Sequence, residues 1–477
     1  MEEALRLHKE GKYEEAEKRY LEILKKHPND ADALNYLGIL KFTLKQFDEA
    51  ENYIKKAISV LPDAYFYENL AKIYLETKDY NQAKETFLNG LKIDENNFEL
   101  TFGLALAYKN LTEKDLAVKT YEKALEIKPD SAQVYFNLAN LYIQNNETDK
   151  GLEYLKKAGE LSPDDEEIKY FLATTYFKEK DYKKGLPLFE ARPSRKTAIL
   201  TQTMPYAQKN ISLWQGEDIS DKTLFVYYEA GFGNTIMFSR YLPLVKKLCK
   251  RLIFKPQTEL FNLYKENLLG ADEVLQFFSP TLNFDVHTPL LSLPYLLNLS
   301  NKEIFISDKP YLKQNDLIKM QYRTQYFANT KFKIGIKWQG NTFSDLNRVI
   351  QIENFFKLFD LPNTQFYSFQ TFEGSEQLEK ARKYSIIDIG STVKDFRDTA
   401  GALANLDLLI SNDSSLLHLA GAMGVKCFGL LPYDYNWRWH TDISNCDWYE
   451  SVKLFRQEKT DNWESVFDEI YSTIKQQ

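Results

Sequence analysis

The sequence predicts an all-α stack of helical hairpins followed by two doubly wound, parallel-sheet α/β domains facing a cleft. Three observations carry this. One is a strict 33–34-residue self-similarity that runs from the N-terminus to about residue 192 and then stops. Beyond it, short apolar runs rich in β-branched and aromatic residues alternate with helical segments, which is the pattern of parallel sheets covered by helices. Finally, two of those runs end in turns bearing Gly or Asp and Ser that open directly into a helix. At roughly 100–200 residues per domain, 477 residues allow about three domains.

The repeats come first. Leu37, Leu70, Leu104, Leu138 and Leu172 are each followed by a small residue: Gly38, Ala71, Ala105, Ala139 and Ala173. A second series of small residues runs Ala16, Ala50, Ala83, Ala117, Gly151 and Gly185. Tyr74, Tyr108, Tyr142 and Tyr176 stand four residues after their leucines, and Pro28, Pro62, Pro129 and Pro163 close units. Small residues where two helices touch, an aromatic filling the groove and a proline ending the second helix resemble the tetratricopeptide (TPR) pattern. About five and a half units fit within residues 1–192. One hairpin cannot bury its own apolar face, so such units stack into a superhelix with a long concave groove. That groove is expected to bind a protein; self-association into a homo-oligomer, or spacing, is its other use.

Composition narrows the function. The net charge of −7 and the pI near 5.6 argue against a nucleic-acid binder. The charged N-terminal stretch is unlike a signal peptide, and no run reaches the roughly 18 apolar residues of a spanning helix. Cys249, Cys427 and Cys446 have neither metal-ligand nor redox spacing. The expected compartment is the cytoplasm, without stable membrane insertion.

After a connector near residue 193, strands are expected at 223–229, 251–255, 274–278 and 284–287, then at 333–338, 364–369, 386–390, 406–411 and 425–431. The two groups divide near 310–330, which gives domains at 193–325 and 326–477. In the first group, a strand leads through Glu229, Gly231, Gly233 and Asn234 into a helix. The glycines permit a tight turn and a close approach of backbone to ligand, although this Gly-x-Gly falls short of the dinucleotide fingerprint.

In the second group, a strand ending at Ser411 is followed by Asn412, Asp413, Ser414 and Ser415, with His418 one turn into the next helix. Asp and Ser at a helix start offer caps, and the helix N-terminus suits phosphate oxygens. His418 is placed to bond a phosphate or a sugar hydroxyl; a capping Asp and a buried His is the plainer alternative. Trp437 and Arg438 lie in an aromatic loop past a strand end. They are readable either as a sugar- or phosphate-contacting pair or as a buried anchor for the C-terminal helix.

These segments resemble glycosyltransferase family 9, which includes heptosyltransferases of the GT-B fold, two Rossmann-like domains facing a cleft. The matching pieces are YYEAGFGNTIMFSRYLP, IGIKWQGNTFSDLNRVIQIENF, DTAGALANLDLLISNDSSLLHLAGAMGVKCFGLLPYDYNWRW and SVKLFRQEKTDNW. The fused layout is similar to bacterial TPR proteins carrying such a module, to O-linked N-acetylglucosamine transferases and to TPR-bearing flagellin glycosyltransferases. The resemblance implies transfer of a sugar from a nucleotide-sugar to a protein acceptor held by the repeats, flagellin or another surface protein among the candidates. It implies that Asp413, Ser414, Ser415 and His418 hold the donor. Trp338, Gly340, Asn341 and Arg348 match the loop on the donor pyrophosphate, and Gly231 and Gly233 the acceptor-side turn.

The family's Asp after Gly-x-Gly, its proposed general base, is Asn234 here. An amide does not accept a proton at neutral pH, so Glu229 at the strand end is the substitute candidate. The substitution also raises the alternative of a catalytically degenerate scaffold. A transferase of lipopolysaccharide or glycan assembly is the third reading.

No cofactor or metal is expected. The chain's one Asp-x-Asp is Asp30-Ala31-Asp32 in the repeats, and His8, His27, His287, His418 and His440 lack metal spacing. Neither a Walker A nor a Gly-x-Ser-x-Gly motif occurs, which removes P-loop NTPase and α/β-hydrolase readings.

Overall fold

The computed structural model describes residues 1–203, 211–279, 281–305, 309–340, 348–441, 446–460 and 462–476. The chain forms two compact units, Met1–Ile168 and Lys169–Gln477.

The first unit is built of antiparallel helix pairs, beginning Glu2–Lys9 and Tyr13–Lys26, then Ala31–Thr43 and Phe47–Val60. The repeat is written into both ends of each pair's first helix. Asp30, Asp63, Asn97 and Ser131, at one repeat position, each accept a backbone N–H of the helix they start. The Asp-x-Asp of the sequence is thereby explained: Asp30 is a cap, accepting from Ala33 N at 2.9 Å. Small residues are required where helices cross. A Cβ on Gly38 would come within 2.4 Å of Ile54 Cγ1, and one on Gly151 within 2.4 Å of Ile143 Cγ1.

Each first helix ends in a left-handed residue: Lys45, Lys78, Thr112 and Asn146 have φ of 60°, 62°, 59° and 60°. The β-branched Thr112 is the least suited to this region. Thr112→Asn is expected to stabilise the first unit by about 1 kcal/mol. Urea unfolding followed by far-UV circular dichroism measures the change.

The second unit begins with helices Glu166–Lys178 (from residue 169) and Tyr182–Phe189. Phe177, Tyr182, Leu186 and Phe189, which the repeat period counts with the helical stack, join one hydrophobic core with Trp437 and Trp448. Helix Pro193–Thr203 follows, and then eleven strands run through the described residues. They are β1 Ser212–Leu213, β2 Ile219–Tyr227, β3 Cys249–Lys255, β4 Glu273–Val274, β5 Val286–Pro289, β6 Phe332–Lys337, β7 Thr364–Ser368, β8 Ile387–Asp388, β9 Leu408–Asn412, β10 Cys427–Leu431 and β11 Val452–Arg456.

The strands form two parallel sheets, ordered β1-β5-β2-β3-β4 and β11-β10-β9-β6-β7-β8. β1 and β11 are additions to the strands expected from sequence. The strand expected over 274–278 is reduced to Glu273–Val274, because Phe277 turns outward and is 67% exposed.

Chain order reverses direction between β2 and β5 in the first sheet and between β6 and β9 in the second. The carboxyl ends at these switch points are where open α/β sheets leave a crevice for ligands. Apolar side chains of both sheets, among them Leu224, Val226, Leu409 and Leu431, share one core, so the two sheets are packed into a single body.

Candidate functional site

The second sheet's switch point gathers the polar segment singled out in the sequence. Ile334, Gly335, Ile336 and Lys337 of β6 pair with Leu408, Leu409, Ile410 and Ser411 of β9. Asp413 therefore emerges beside the end of β6, buried, with its Oδ2 3.4 Å from Arg348 Nη1. Asn412 Nδ2 donates to Arg348 O at 3.0 Å, which ties that loop to the strand end.

Helix Ser415–Met423 begins here, with Ser414 as N-cap residue, yet no side chain caps it. Ser414 Oγ instead lies 3.2 Å from Ser411 Oγ. The expected Asp and Ser capping is thus absent: Asp413 pairs with a guanidinium, leaving the helix start without a side-chain acceptor.

His418 is buried. Its Nδ1 is 3.0 Å from Tyr449 Oη, and its ring stacks on Trp439 at 5.2 Å and 19°. Burial, reinforced by Arg438, Arg240 and Arg348, pushes its pKa well below the ordinary value, so the ring is neutral at pH 7. Helix Phe232–Phe238 packs across it, and a Cβ on Gly233 would sit 2.7 Å from His418 Cδ2. Gly233 is therefore small to admit the imidazole. The turn-forming role expected of the two glycines falls to Ala230, which has φ of 57°, while Gly231 has φ of −79°.

Asn234 and Arg438 bring the two sheets' loops together: Asn234 Oδ1 accepts from Arg438 Nη2. The Arg438 guanidinium lies 4.5 Å over the Trp437 ring, and its buried Nε has no hydrogen-bond partner. Its loop is fixed from behind. Trp448 Nε1 donates to Arg438 O at 2.6 Å, and Arg456 Nη1 donates to His440 O at 2.7 Å. His440 itself bridges Tyr182 Oη at 2.7 Å and Asp447 Oδ2 at 2.8 Å. Arg348, Asp413, Arg438, Asn234 and His418 thus meet at the junction of the sheets, a site rich in guanidinium groups.

Glu229 and Trp338 are corrected, and for Trp437 the buried-anchor reading holds. Glu229 does not stand free at the strand end. It is buried and paired with Arg192 through Nε, and through Nη2 at 3.0 Å, with Ser194 Oγ nearby at 3.4 Å. Both of its carboxylate oxygens are taken by Arg192, which removes the motive for calling it the base. Trp338 is fully buried core, donating Nε1 to Gly374 O at 3.1 Å, and does not face a ligand. Trp437 is likewise a buried anchor, 4.9 Å from Phe177 and 5.8 Å from Phe189. Gly340 is half-buried near Asn412, and Ser414 and Ser415 are half-buried at the helix start. Asn341 lies outside the described residues.

Lys337 was missed in the sequence, although a lysine closing an otherwise apolar strand is its signal. It is buried at the end of β6, its Nζ 3.4 Å from Phe369 O. Burial brings its pKa down to about 8 from 10.5. The unfolded chain then binds more protons than the folded one between those values, so stability rises with pH from about 8 toward 10.5. Lys337→Met is expected to flatten that rise and to add on the order of 2–3 kcal/mol at pH 7. Denaturant unfolding at a series of pH values measures both.

Among the described residues, no group of three or more His, Cys, Asp or Glu is arranged to hold a metal, and the three cysteines are free and buried. Among them too, no helix is long and apolar enough to cross a membrane.

Comparison with known proteins bears on the first unit. Residues 7–73, 64–97 and 132–165 match the tetratricopeptide repeat family, and residues 114–146 match its TPR repeat description. Hsp70-Hsp90 organizing protein 1 of Glycine max is 31% identical over 108 residues, covering 22% of this chain and 19% of that protein. Protein O-mannosyl-transferase TMTC3 of Mus musculus is 30% identical over 81 residues, 17% of this chain and 9% of that protein. The chain thus spans a fifth or less of these curated relatives. The crystal structure of MamA is 23% identical and covers 34% of this chain and 96% of its own, with a TM-score of 0.33. YrrB, described as a TPR protein with an unusual peptide-binding site, is 18% identical and covers 39% and 97%, with a TM-score of 0.32. The helical hairpins of the first unit are tetratricopeptide repeats.

Proposed function

We propose that the chain is a glycosyltransferase of the GT-B type that moves a sugar from a nucleotide-sugar to a protein recruited by its repeats. The observation that carries this reading is the convergence of Arg348, Arg438, Asp413 and the uncapped start of helix Ser415–Met423 at a switch point. Two guanidinium groups and a helix start without a side-chain cap suit a diphosphate, and they can offset leaving-group charge without a metal. The neutral His418 beside them is a donor or acceptor for a phosphate or sugar oxygen. The repeats support a protein partner; the similar Hsp70-Hsp90 organizing protein 1 and protein O-mannosyl-transferase TMTC3 are both named for work on proteins. The acceptor oxygen would attack the anomeric carbon, the bond from that carbon to the diphosphate would break, and the proton would leave to solvent or to the diphosphate.

A second reading, a non-catalytic scaffold, is favoured by one observation. Asn234 and Glu229, the two residues nearest the base position, are both engaged by arginines. Thermal unfolding against a panel of nucleotide-sugars tests the first reading. A true donor at 100 times its Kd stabilises by about 2.7 kcal/mol. A panel that shifts nothing returns the chain to the scaffold reading.

A further inference from the structure

The loop that carries Arg438 is held by the helical hairpin that opens the second unit, residues that the repeat period counts with the helical stack. Phe177 and Phe189 pack on Trp437, the indole that the Arg438 guanidinium covers. Lys178 is buried, 3.7 Å from Asp434 and 5.0 Å over the Tyr435 ring, and its carbonyl accepts from Thr441 N at 3.2 Å. Lys180 Nζ lies 2.8 Å from Asp447 Oδ2.

The turn after Arg438 is strained. His440 follows the short helix Trp437–Trp439 with φ of 50° and ψ of 173°, a region that residues with a Cβ rarely enter and keep only where their surroundings hold them. Three side chains do so here. Arg456 takes the His440 carbonyl. Asp447, held at about 2 by its hydrogen bond from His440 and by Lys180, is ionised and accepts the Nδ1 proton. Burial keeps the ring neutral, so Nε2 is left an acceptor, and the buried Tyr182 donates its O–H to it. That donor stands 258 residues earlier in the chain. Strain of this kind is of the same order as one or two hydrogen bonds, so losing the Tyr182 bond is enough to release the turn.

From these contacts we infer that the hairpin is part of the diphosphate site: Tyr182 and Phe177 are positioning residues that act through His440 and Trp437 to aim the Arg438 guanidinium. The inference rests on the reading of the Arg438 cluster as the place where the donor's diphosphate binds.

Calorimetric titration of the full chain with UDP, GDP, ADP and inorganic diphosphate tests it, together with hydrogen exchange of residues 432–441 followed by mass spectrometry. Wild type binds at least one probe, and Arg438→Ala weakens that binding. Tyr182→Phe, which keeps the ring 4.7 Å from Phe177, and Phe177→Leu each weaken it roughly three- to tenfold, the worth of one hydrogen bond or ring contact. Both variants speed exchange in residues 432–441 and leave β9 as it was. Added to Arg438→Ala, Tyr182→Phe weakens binding no further, as a residue acting through that guanidinium must. Wild-type affinity in both single variants, additive losses in the double variant, or exchange that quickens equally in β9 overturns the inference and leaves the diphosphate reading standing. No binding of any probe by wild type, or binding that Arg438→Ala leaves intact, removes that reading and the inference with it. Should Tyr182→Phe fail to fold, Phe177→Leu and Phe177→Leu/Arg438→Ala carry the same comparison.

Discussion

Replacing Arg192 by Met is expected to destabilise the second unit by about 3–5 kcal/mol, among the largest effects available to one substitution in this chain. All five guanidinium N–H groups are used, on Glu229, Glu190, Ser292 and Phe189 O. Its loss leaves the Glu229 carboxylate, whose side chain is 0% exposed, without a cation. The double variant Arg192→Met/Glu229→Leu removes both charges and is expected to regain more than half of that loss, because a buried pair exchanged for apolar groups is close to neutral. All six tryptophans lie in the second unit, so indole fluorescence during urea unfolding reports on it alone. A single variant losing less than 1 kcal/mol, or a double variant no better than the single, would refute the account of this network.

That Glu229 reads as a free carboxylate in the sequence, while Asp413 stands out, has a physical basis. The helical repeats and most strands were legible because periodicity is local: caps, turns and alternation act within a few residues. Asp413, Ser414 and His418 stand out in the sequence because a strand end, a helix start and a polar burst coincide within one short segment. Glu229 looked free for want of its partner, which lies 37 residues earlier in the chain. Arg438 meets Asn234 across 204 residues, and no local pattern announces that contact. Trp437 stays open between ligand contact and buried anchor in the sequence, because an aromatic past a strand end reads the same whether it faces water or core. The resemblance to family 9 singles out the polar segment, but it does not say which neighbours its residues are bonded to.

Arg438→Ala and Arg348→Ala are each expected to weaken nucleotide-sugar binding roughly ten- to a hundredfold, the 1.5–3 kcal/mol of a lost charge-assisted hydrogen bond. The orphaned Nε of Arg438 leaves that guanidinium with a donor still to place. Asp413→Ala releases Arg348 from its 3.4 Å ion pair and should weaken the same binding through misplacement of that group. His418→Ala, by contrast, opens a hole under Trp439 and Tyr449 and is expected to cost stability as well as affinity. Asn234→Asp faces a guanidinium and is expected to fold normally. It pairs with Arg438, lowers donor affinity several-fold, and supplies the carboxylate that glycosyltransferase family 9, which this segment resembles, carries after Gly-x-Gly. Calorimetric titration across the series reads these effects. Equal affinity in Arg438→Ala, Arg348→Ala and wild type would place the donor elsewhere.

The most direct test is transfer itself. The full chain is used to capture a protein from its host's extract, the donor found in the nucleotide-sugar panel is added, and the captured protein is weighed by intact-mass spectrometry. The account predicts a gain of one glycosyl residue with release of one nucleoside diphosphate, both lost in Arg438→Ala. A donor that binds the wild-type chain, with a captured protein whose mass never changes, would contradict it.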